Sequence, residues 1–172
     1  AVANKSFGTV VEFGTGTGNL TAKLIEAGHS VIGIEPNDAM RSVTAKRFPD
    51  LALIDGDLLD FEAPQKVDTF VSSYVFHHLK DNEKEKALST YATILPVGGK
   101  IVFADTVFTS EEAKQAQIIK ERARGFNNVA DDLEREYYTT IPVLTKSFEQ
   151  AGFDVQFEQM NDFVWLMDAT KK

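Results

Sequence analysis

The sequence contains no cysteine, no long apolar run and no cluster of basic residues. Without cysteine there is no disulfide framework, no thiolate metal site and no thiolate nucleophile. No apolar run approaches the ~20 residues that a membrane-spanning helix needs. These absences predict a cytoplasmic protein that has no membrane partner.

Basic residues are also too few to balance the acidic ones. The chain has 18 Lys and Arg residues against 26 Asp and Glu residues, and its net charge at pH 7 is −8. A negatively charged surface repels phosphate backbones, and the basic residues are scattered along the chain, so a nucleic-acid partner is disfavoured. Hydrophobic residues make up 43 %, which is enough for a core. The length of 172 residues predicts a single domain over 1–172.

Short apolar runs alternate with helical patterns along the first two thirds of the chain. The predicted strands occupy residues 9–13, 30–34, 51–54, 67–73 and 100–104, and the predicted helices occupy residues 19–27, 38–48 and 81–95. Strands that are apolar on both faces and separated by helices indicate an α/β fold, with a parallel sheet covered on both sides.

The last third of the chain follows a different pattern. Ser110 is predicted to cap a helix, residues 125–132 to form a loop, and residues 141–151 to form another helix. Two apolar runs at 155–159 and 163–168 are separated by a short polar link. Such a link predicts an antiparallel hairpin at the C-terminus.

Three alternating glycines, Gly14, Gly16 and Gly18, lie between the first strand and the first helix. Glycine there lets the backbone adopt positive φ and lets a ligand approach the main chain, while the following helix start adds oriented N–H groups. The spacing is G-x-G-x-G. The dinucleotide fingerprint G-x-G-x-x-G/A would instead need a small residue at Asn19 or Thr21. The loop therefore predicts a nucleotide-like cofactor and counts against NAD.

The stretch from Glu12 to Gly18, EFGTGTG, resembles motif I of the class I, Rossmann-like methyltransferases that use S-adenosylmethionine. Further landmarks of that family follow in order, with Glu35 after the second strand and Asp57-Leu58 after the third. The segment SSYVFHHL at 72–79 resembles the fourth-strand region, and LPVGGK at 95–100 resembles the turn before the fifth strand, although its proline stands one place early.

The resemblance covers nearly the whole chain and is strongest to the uncharacterised small-molecule-type methyltransferases of Bacillus. It implies a seven-stranded, mostly parallel sheet in the order 3-2-1-4-5-7-6, with helices on both faces and a C-terminal antiparallel hairpin. Those relatives usually carry N-terminal helices over the cofactor, and we expect this chain to lack that helical segment.

The resemblance also implies roles for residues around the cofactor, S-adenosylmethionine. Glu35 would hold both ribose hydroxyls, Asp57 would accept from the adenine amine, and Glu12 would contact the methionine end. The full set implied for cofactor binding is Glu12, Gly14, Thr15, Gly16, Gly18, Glu35, Pro36, Met40, Asp57, Leu58 and Ser73. Alone, Glu35 reads as a solvated carboxylate, Asp57 as part of a turn and Met40 as a core residue.

Three residues are candidates for contacting the acceptor: His77 and His78 after the fourth strand, and Asp105 after the fifth. Adjacent residues point in different directions on a strand or helix, so we expect the two histidines to bind no metal ion together. One is expected to pack or cap, and the other to face the substrate. Asp105 either contacts substrate or ends its strand. Tyr137 and Tyr138 form a lid or pack on the surface.

The sequence thus predicts an S-adenosylmethionine-dependent methyltransferase that acts on a small molecule by in-line displacement. It identifies no catalytic residue, because a methyl group on positively charged sulfur needs alignment more than activation. An NAD-dependent oxidoreductase and a non-catalytic cofactor-binding regulator stay open as alternatives, as does a protein substrate. A nucleic-acid amino-methylase is disfavoured, because SYVF at 73–76 replaces the N/D-P-P-Y/F motif that holds a flipped base.

Overall fold

Seven short runs rich in β-branched and aromatic residues form one sheet in the computed structural model, which describes residues 1–172. The strands are β1 (Thr9–Phe13), β2 (Ser30–Ile34), β3 (Ala52–Ile54), β4 (Thr69–Ser73), β5 (Lys100–Thr106), β6 (Phe153–Gln159) and β7 (Val164–Lys171). Their order across the sheet is β3-β2-β1-β4-β5-β7-β6. Strands β1 to β5 are parallel, whereas β7 is antiparallel to β5 and β6. The predicted order and the predicted hairpin are confirmed.

Seven helices connect the strands, none of them long and apolar enough to cross a membrane. They are α1 (Val2–Lys5), α2 (Asn19–Glu26), α3 (Asp38–Arg47), α4 (Asp81–Ile94), α5 (Glu111–Ala123), α6 (Asn127–Arg135) and α7 (Ile141–Gln150). One turn of 3-10 helix at Phe76–His78 separates β4 from α4. The predicted cap of α5 is confirmed, because the Ser110 hydroxyl accepts a hydrogen bond from the N–H of Ala113.

The predicted loop at residues 125–132 is wrong, because Asn127–Arg135 forms α6. Asparagine and aspartate favour turns in isolation, since their side chains compete for backbone hydrogen bonds. Here Ala130 and Leu133 lie three residues apart on one helix face and are buried against Phe108 and Ile118. Burial of that face outweighs the weak helix propensity of the polar residues.

Apolar side chains cover both faces of the sheet. On one face Phe13 and Phe70 of the sheet pack against Tyr91 of α4, with ring centroids 4.7–5.4 Å apart. On the other face Val10 and Leu24 belong to a smaller cluster that includes α1 and α2. The predicted helices on both faces are thus confirmed. The parallel register aligns the carboxyl ends of β1 to β5 along one edge, where ligands bind in such sheets.

Candidate functional site

The glycine loop between β1 and α2 is held in a conformation that suits glycine at each alternate position. Gly14, Gly16 and Gly18 have φ of 68°, 53° and 82°. A Cβ on Gly14 would lie 2.5 Å from Val75, and one on Gly18 would lie 2.6 Å from Phe48, so packing also excludes larger residues there. A Cβ on Gly16 would meet nothing within 4 Å. The open space over the loop therefore lies at Gly16.

Glu35 follows β2 and fixes the loop from the opposite side. It is buried, and its Oε2 accepts a hydrogen bond from the Gly16 N–H at 2.9 Å, while Oε1 accepts from the Asn37 N–H at 3.0 Å. The hydroxyl of Thr44 donates to the Gly16 carbonyl at 2.7 Å. Each carboxylate oxygen keeps a further lone pair, so Glu35 can still accept from two ribose hydroxyls.

Glu12 lies beneath the loop at the end of β1 and is 1 % exposed. The Thr21 hydroxyl donates to its Oε2 at 2.6 Å. Burial raises the pKa of Glu12 to about 7, the Thr21 hydrogen bond opposes that rise, and the nearby charge of Glu35 adds to it. Glu12 is therefore balanced between its neutral and ionised forms near neutral pH, and a cationic ligand group would favour the ionised form.

Asp57 and Leu58 follow β3. Asp57 Oδ1 accepts from the N–H groups of Leu59 and Asp60 at 2.7 and 2.9 Å, whereas Oδ2 makes no hydrogen bond within the chain. The Leu58 carbonyl accepts from the buried Tyr91 hydroxyl at 2.6 Å. A cleft of about 230 Å³ is lined by Phe13, Gly14, Pro36, Asp57, Leu58, Leu59, Val75, His78 and Leu79. The fold thus collects residues from four strand ends into one cleft.

Seven of the residues implied for cofactor binding lie outside the lining of this cleft, among them Met40, Ser73 and Thr15. Met40 is 41 % exposed in the first turn of α3, and Ser73 is half-buried at the end of β4. Thr15 is buried with its hydroxyl unbonded, and a Cβ on Gly33 would lie 2.6 Å from its methyl group. Thr15 therefore supports the loop by packing, and the cofactor contacts of all the implied residues stay predictions.

The turn after β4 brings His77 against Asp105 at the end of β5. Asp105 is 2 % exposed. Its Oδ1 lies 2.8 Å from His77 Nδ1, and its Oδ2 accepts from the His77 backbone N–H at 3.0 Å. Asp105 therefore does more than end its strand, because both of its oxygens hold His77.

His78 makes different contacts from its neighbour. It is exposed, it lines the cleft of about 230 Å³, and its Nδ1 lies 3.4 Å from Glu136. The ring centroids of His77 and His78 are only 4.3 Å apart, because both lie on one 3-10 turn. Donor atoms of His77, His78 and Glu136 lie within 4.8 Å of one another, the nearest approach to a metal-binding arrangement in the chain. That the two histidines share no metal ion stays a prediction.

Lys84 is a residue that sequence reasoning missed. It is 2 % exposed in α4, and its ammonium donates to the carbonyls of Leu79 and Tyr137 at 2.6 and 2.7 Å. Burial lowers its pKa. Lys84 thereby joins the residue after the 3-10 turn and the segment before α7 to the same helix. The sequence indicates that Lys84 is buried, because it lies three and four residues before Ala87 and Leu88 and therefore on the same apolar face of the helix.

The two tyrosines predicted as a lid have separate environments. The Tyr138 ring lies 4.9 Å from the His77 ring, and burial raises its pKa to about 12, so its phenol stays protonated. Tyr137 is 45 % exposed, and its N–H donates to the His77 carbonyl at 3.1 Å. Tyr74, 52 % exposed, has a φ of 58° and is the one non-glycine residue with positive φ. Such strain concentrates at functional sites.

Comparison with known proteins places the chain in a family. Residues 10–99 match a family described as a methyltransferase domain. An uncharacterised methyltransferase of Bacillus cytotoxicus is 50 % identical over 172 residues, which cover 99 % of this chain and 81 % of that protein.

Solved structures share the fold at much lower identity. Human N-acetylserotonin methyltransferase, crystallised with S-adenosylmethionine, superposes with a TM-score of 0.75 at 16 % identity, over 99 % of this chain and 50 % of that one. An O-methyltransferase family 2 protein of Planctomyces limnophilus in complex with apigenin superposes with a TM-score of 0.76 at 13 % identity, over 95 % and 51 %. This chain therefore spans about half the length of these two structures.

Proposed function

The chain belongs to the methyltransferase family, and we propose that it transfers a methyl group from S-adenosylmethionine to a small-molecule acceptor by in-line displacement. The observation that carries the proposal is the arrangement of Gly16, Glu35 and Asp57 along one edge of the sheet. Space is open over Gly16, a buried carboxylate is bonded to the Gly16 amide, and one Asp57 oxygen has no partner. This arrangement fits the methionine, ribose and adenine parts of the donor.

The residues present supply binding and orientation. Glu35 would accept from the ribose hydroxyls, Asp57 from the adenine amine, and the Leu58 N–H would donate to the adenine ring. Glu12 would lie near the cationic methionine end of the donor. The donor supplies a methyl group on positively charged sulfur, and its leaving group is a neutral thioether. The protein's task is to hold an acceptor atom ~3–3.5 Å from the methyl group, in line with the breaking bond, and to keep water away.

The proposal of a small acceptor rests on charge and on a missing motif. The net charge of −8 opposes a nucleic-acid acceptor, and the chain lacks the base-holding motif of the amino-methylases after β4. A protein acceptor is the alternative, and a screen of small acceptor compounds distinguishes the two.

Calorimetry with S-adenosylhomocysteine and, separately, with NAD tests the donor assignment. We expect binding of S-adenosylhomocysteine and none of NAD, and binding of NAD alone would contradict the proposal. A screen of small hydroxyl, amine and thiol compounds with methyl-labelled S-adenosylmethionine then tests the acceptor class. Tight donor binding with no label transfer to any small compound would instead favour a protein acceptor or a cofactor-binding regulator.

A further inference from the structure

We propose that His77 is the general base of the methyl transfer, that Asp105 positions it, and that the acceptor is a phenolic or enolic hydroxyl. This inference rests on the proposed function. A base matters only where the nucleophile arrives protonated. A hydroxyl group of this kind is protonated at neutral pH and becomes a strong nucleophile once its proton is removed.

The hydrogen bonding of the His77 imidazole determines which ring nitrogen carries the proton. Asp105 Oδ1 lies 2.8 Å from Nδ1 and also accepts from the Thr106 N–H at 2.7 Å, so this oxygen acts as an acceptor. Nδ1 of His77 therefore carries the proton, and Nε2 carries the lone pair. Nε2 makes no hydrogen bond within the chain. The tautomer that Asp105 selects is the one that can accept a proton at Nε2.

Contacts of both the backbone and the ring hold His77 in place. Its backbone N–H donates to Asp105, and its carbonyl accepts from Tyr137. Its ring centroid lies 4.9 Å from that of Tyr138 and 4.3 Å from that of His78. Its side chain is 11 % exposed. A histidine that only fills space needs far fewer contacts, whereas a base must be held in one orientation before substrate arrives.

The position of His77 next to the donor cleft also supports the proposal. His77 lies on the turn that follows β4, and its neighbours Val75 and His78 line the donor cleft. Asp105 lies at the end of β5, beside β4 in the sheet. Exposed aromatic side chains flank this edge at Tyr74 and Tyr137, and they offer surfaces on which a planar acceptor ring can pack.

The proton transfer balances with groups that the protein and the donor supply. The acceptor hydroxyl gives its proton to His77 Nε2 as the oxygen–methyl bond forms, the carbon–sulfur bond breaks, and its electron pair leaves with the sulfur. His77 becomes an imidazolium ion beside the Asp105 carboxylate, which stabilises it, and then releases the proton to water. The other ionisable groups around this edge are Lys84 from α4, Glu136 after α6, the neighbouring His78, and the phenols of Tyr137 and Tyr138.

Two histidine variants provide the kinetic test. With phenolic acceptors from the screen, we expect His77→Gln to lower kcat by about 100- to 10,000-fold, the usual contribution of a general base. S-adenosylhomocysteine binding by calorimetry should be unchanged, which also reports that the variant is folded. His29→Gln is the matched control, because His29 lies before β2, contacts the Ala3 carbonyl at 2.9 Å and belongs to no proposed site, so its kcat should stay close to that of the wild type.

Long-range nitrogen–proton NMR of the wild-type protein without ligand tests the positioning role of Asp105 independently of activity. We expect His77 to show a protonated Nδ1, and Asp105→Asn to change the tautomer and lower kcat while leaving donor binding intact. A protonated Nε2 in the wild type, or an unchanged kcat in His77→Gln, would overturn the proposal. So would loss of activity on chelation that zinc or manganese restores, because His77 would then be a metal ligand. Absence of S-adenosylhomocysteine binding to the wild type would instead sink the proposed function itself.

Discussion

The proposed donor cleft and the proposed acceptor edge, which holds His77 and Asp105, lie along the same rim of the sheet but are specified in different ways. In the cleft, the decisive contacts involve backbone groups: the amide of Gly16, the amides that Asp57 accepts from, and the turn after β2. At the acceptor edge, the decisive contacts join side chains such as His77 and Asp105, which are 28 residues apart. A site built on backbone conformation constrains residue spacing, whereas a site built on tertiary contacts between side chains leaves little trace in the sequence.

The largest expected effect follows from closing the open space at Gly16. Gly16→Val would place a branched side chain where the donor approaches the main chain, so we expect S-adenosylhomocysteine binding to be lost in calorimetry. Gly98→Val is the matched control, because Gly98 also has positive φ and open space but lies in the turn before β5. Each substitution should lower stability by roughly 1–2 kcal/mol through backbone strain. Retained binding in Gly16→Val would move the donor away from the loop.

A smaller effect is expected at Glu35. Glu35→Ala removes the proposed acceptor for two ribose hydroxyls and the partner of the Gly16 amide, so donor binding should weaken by about 1.5–3 kcal/mol, or roughly 10- to 150-fold. Glu62→Ala, at an exposed acidic residue that forms no ion pair, is the control and should bind normally. Equal affinity in the two variants would mean that the ribose is held elsewhere.

Glu12 provides a test by pH. Its pKa of about 7 in the folded protein lies above the ordinary 4.5, so the native state binds more protons than the unfolded state between these values. Wild-type stability should therefore fall as pH rises from about 4.5 to about 7. Glu12→Gln removes the buried charge, so its stability in urea unfolding should exceed that of wild type by up to about 3 kcal/mol at pH 8 and match it at pH 4.

The same substitution should affect donor binding in the opposite direction. Glu12→Gln lacks the charge that balances the cationic methionine end, so donor affinity should fall at pH 8 even as stability rises. Equal affinity of the two proteins at pH 8 would remove Glu12 from the binding site and leave it as a buried carboxyl beneath the loop.

The smallest effect on the donor is expected from the acceptor edge. Lys84→Met would leave the buried carbonyls of Leu79 and Tyr137 without their donor, and should lower stability by about 1–3 kcal/mol. Amide exchange at Tyr137 should become faster, and S-adenosylhomocysteine affinity should not change. Lys86→Met, at an exposed lysine of the same helix, is the control. A loss of donor affinity in Lys84→Met would show that the donor cleft and the acceptor edge are coupled, and would contradict their separate construction.

The strand order and the family were predicted from the resemblance that the glycine loop and the later motifs carry. Local sequence was enough to predict the strands themselves, because most of them are apolar runs bounded by glycine, proline or polar residues. It failed at α6, where packing of Ala130 and Leu133 overrides the turn preference of the Asn and Asp residues. The pairing of His77 with Asp105 could not be predicted from the sequence either. It depends on the register that sets Ser73 beside Ala104, and on a 3-10 turn that folds His77 back toward β5.

The bond between Glu35 and the Gly16 amide also determines when the glycine loop becomes ordered. Because this bond forms within the chain itself, the loop loses its conformational entropy when the protein folds and not when a ligand arrives. The enthalpy of binding should then distinguish nucleoside ligands from one another. An analogue without ribose hydroxyls would lose the hydrogen bonds to those hydroxyls, while the loop around it would stay equally rigid. The heat released on binding, more than the speed of association, should distinguish such analogues from the full donor.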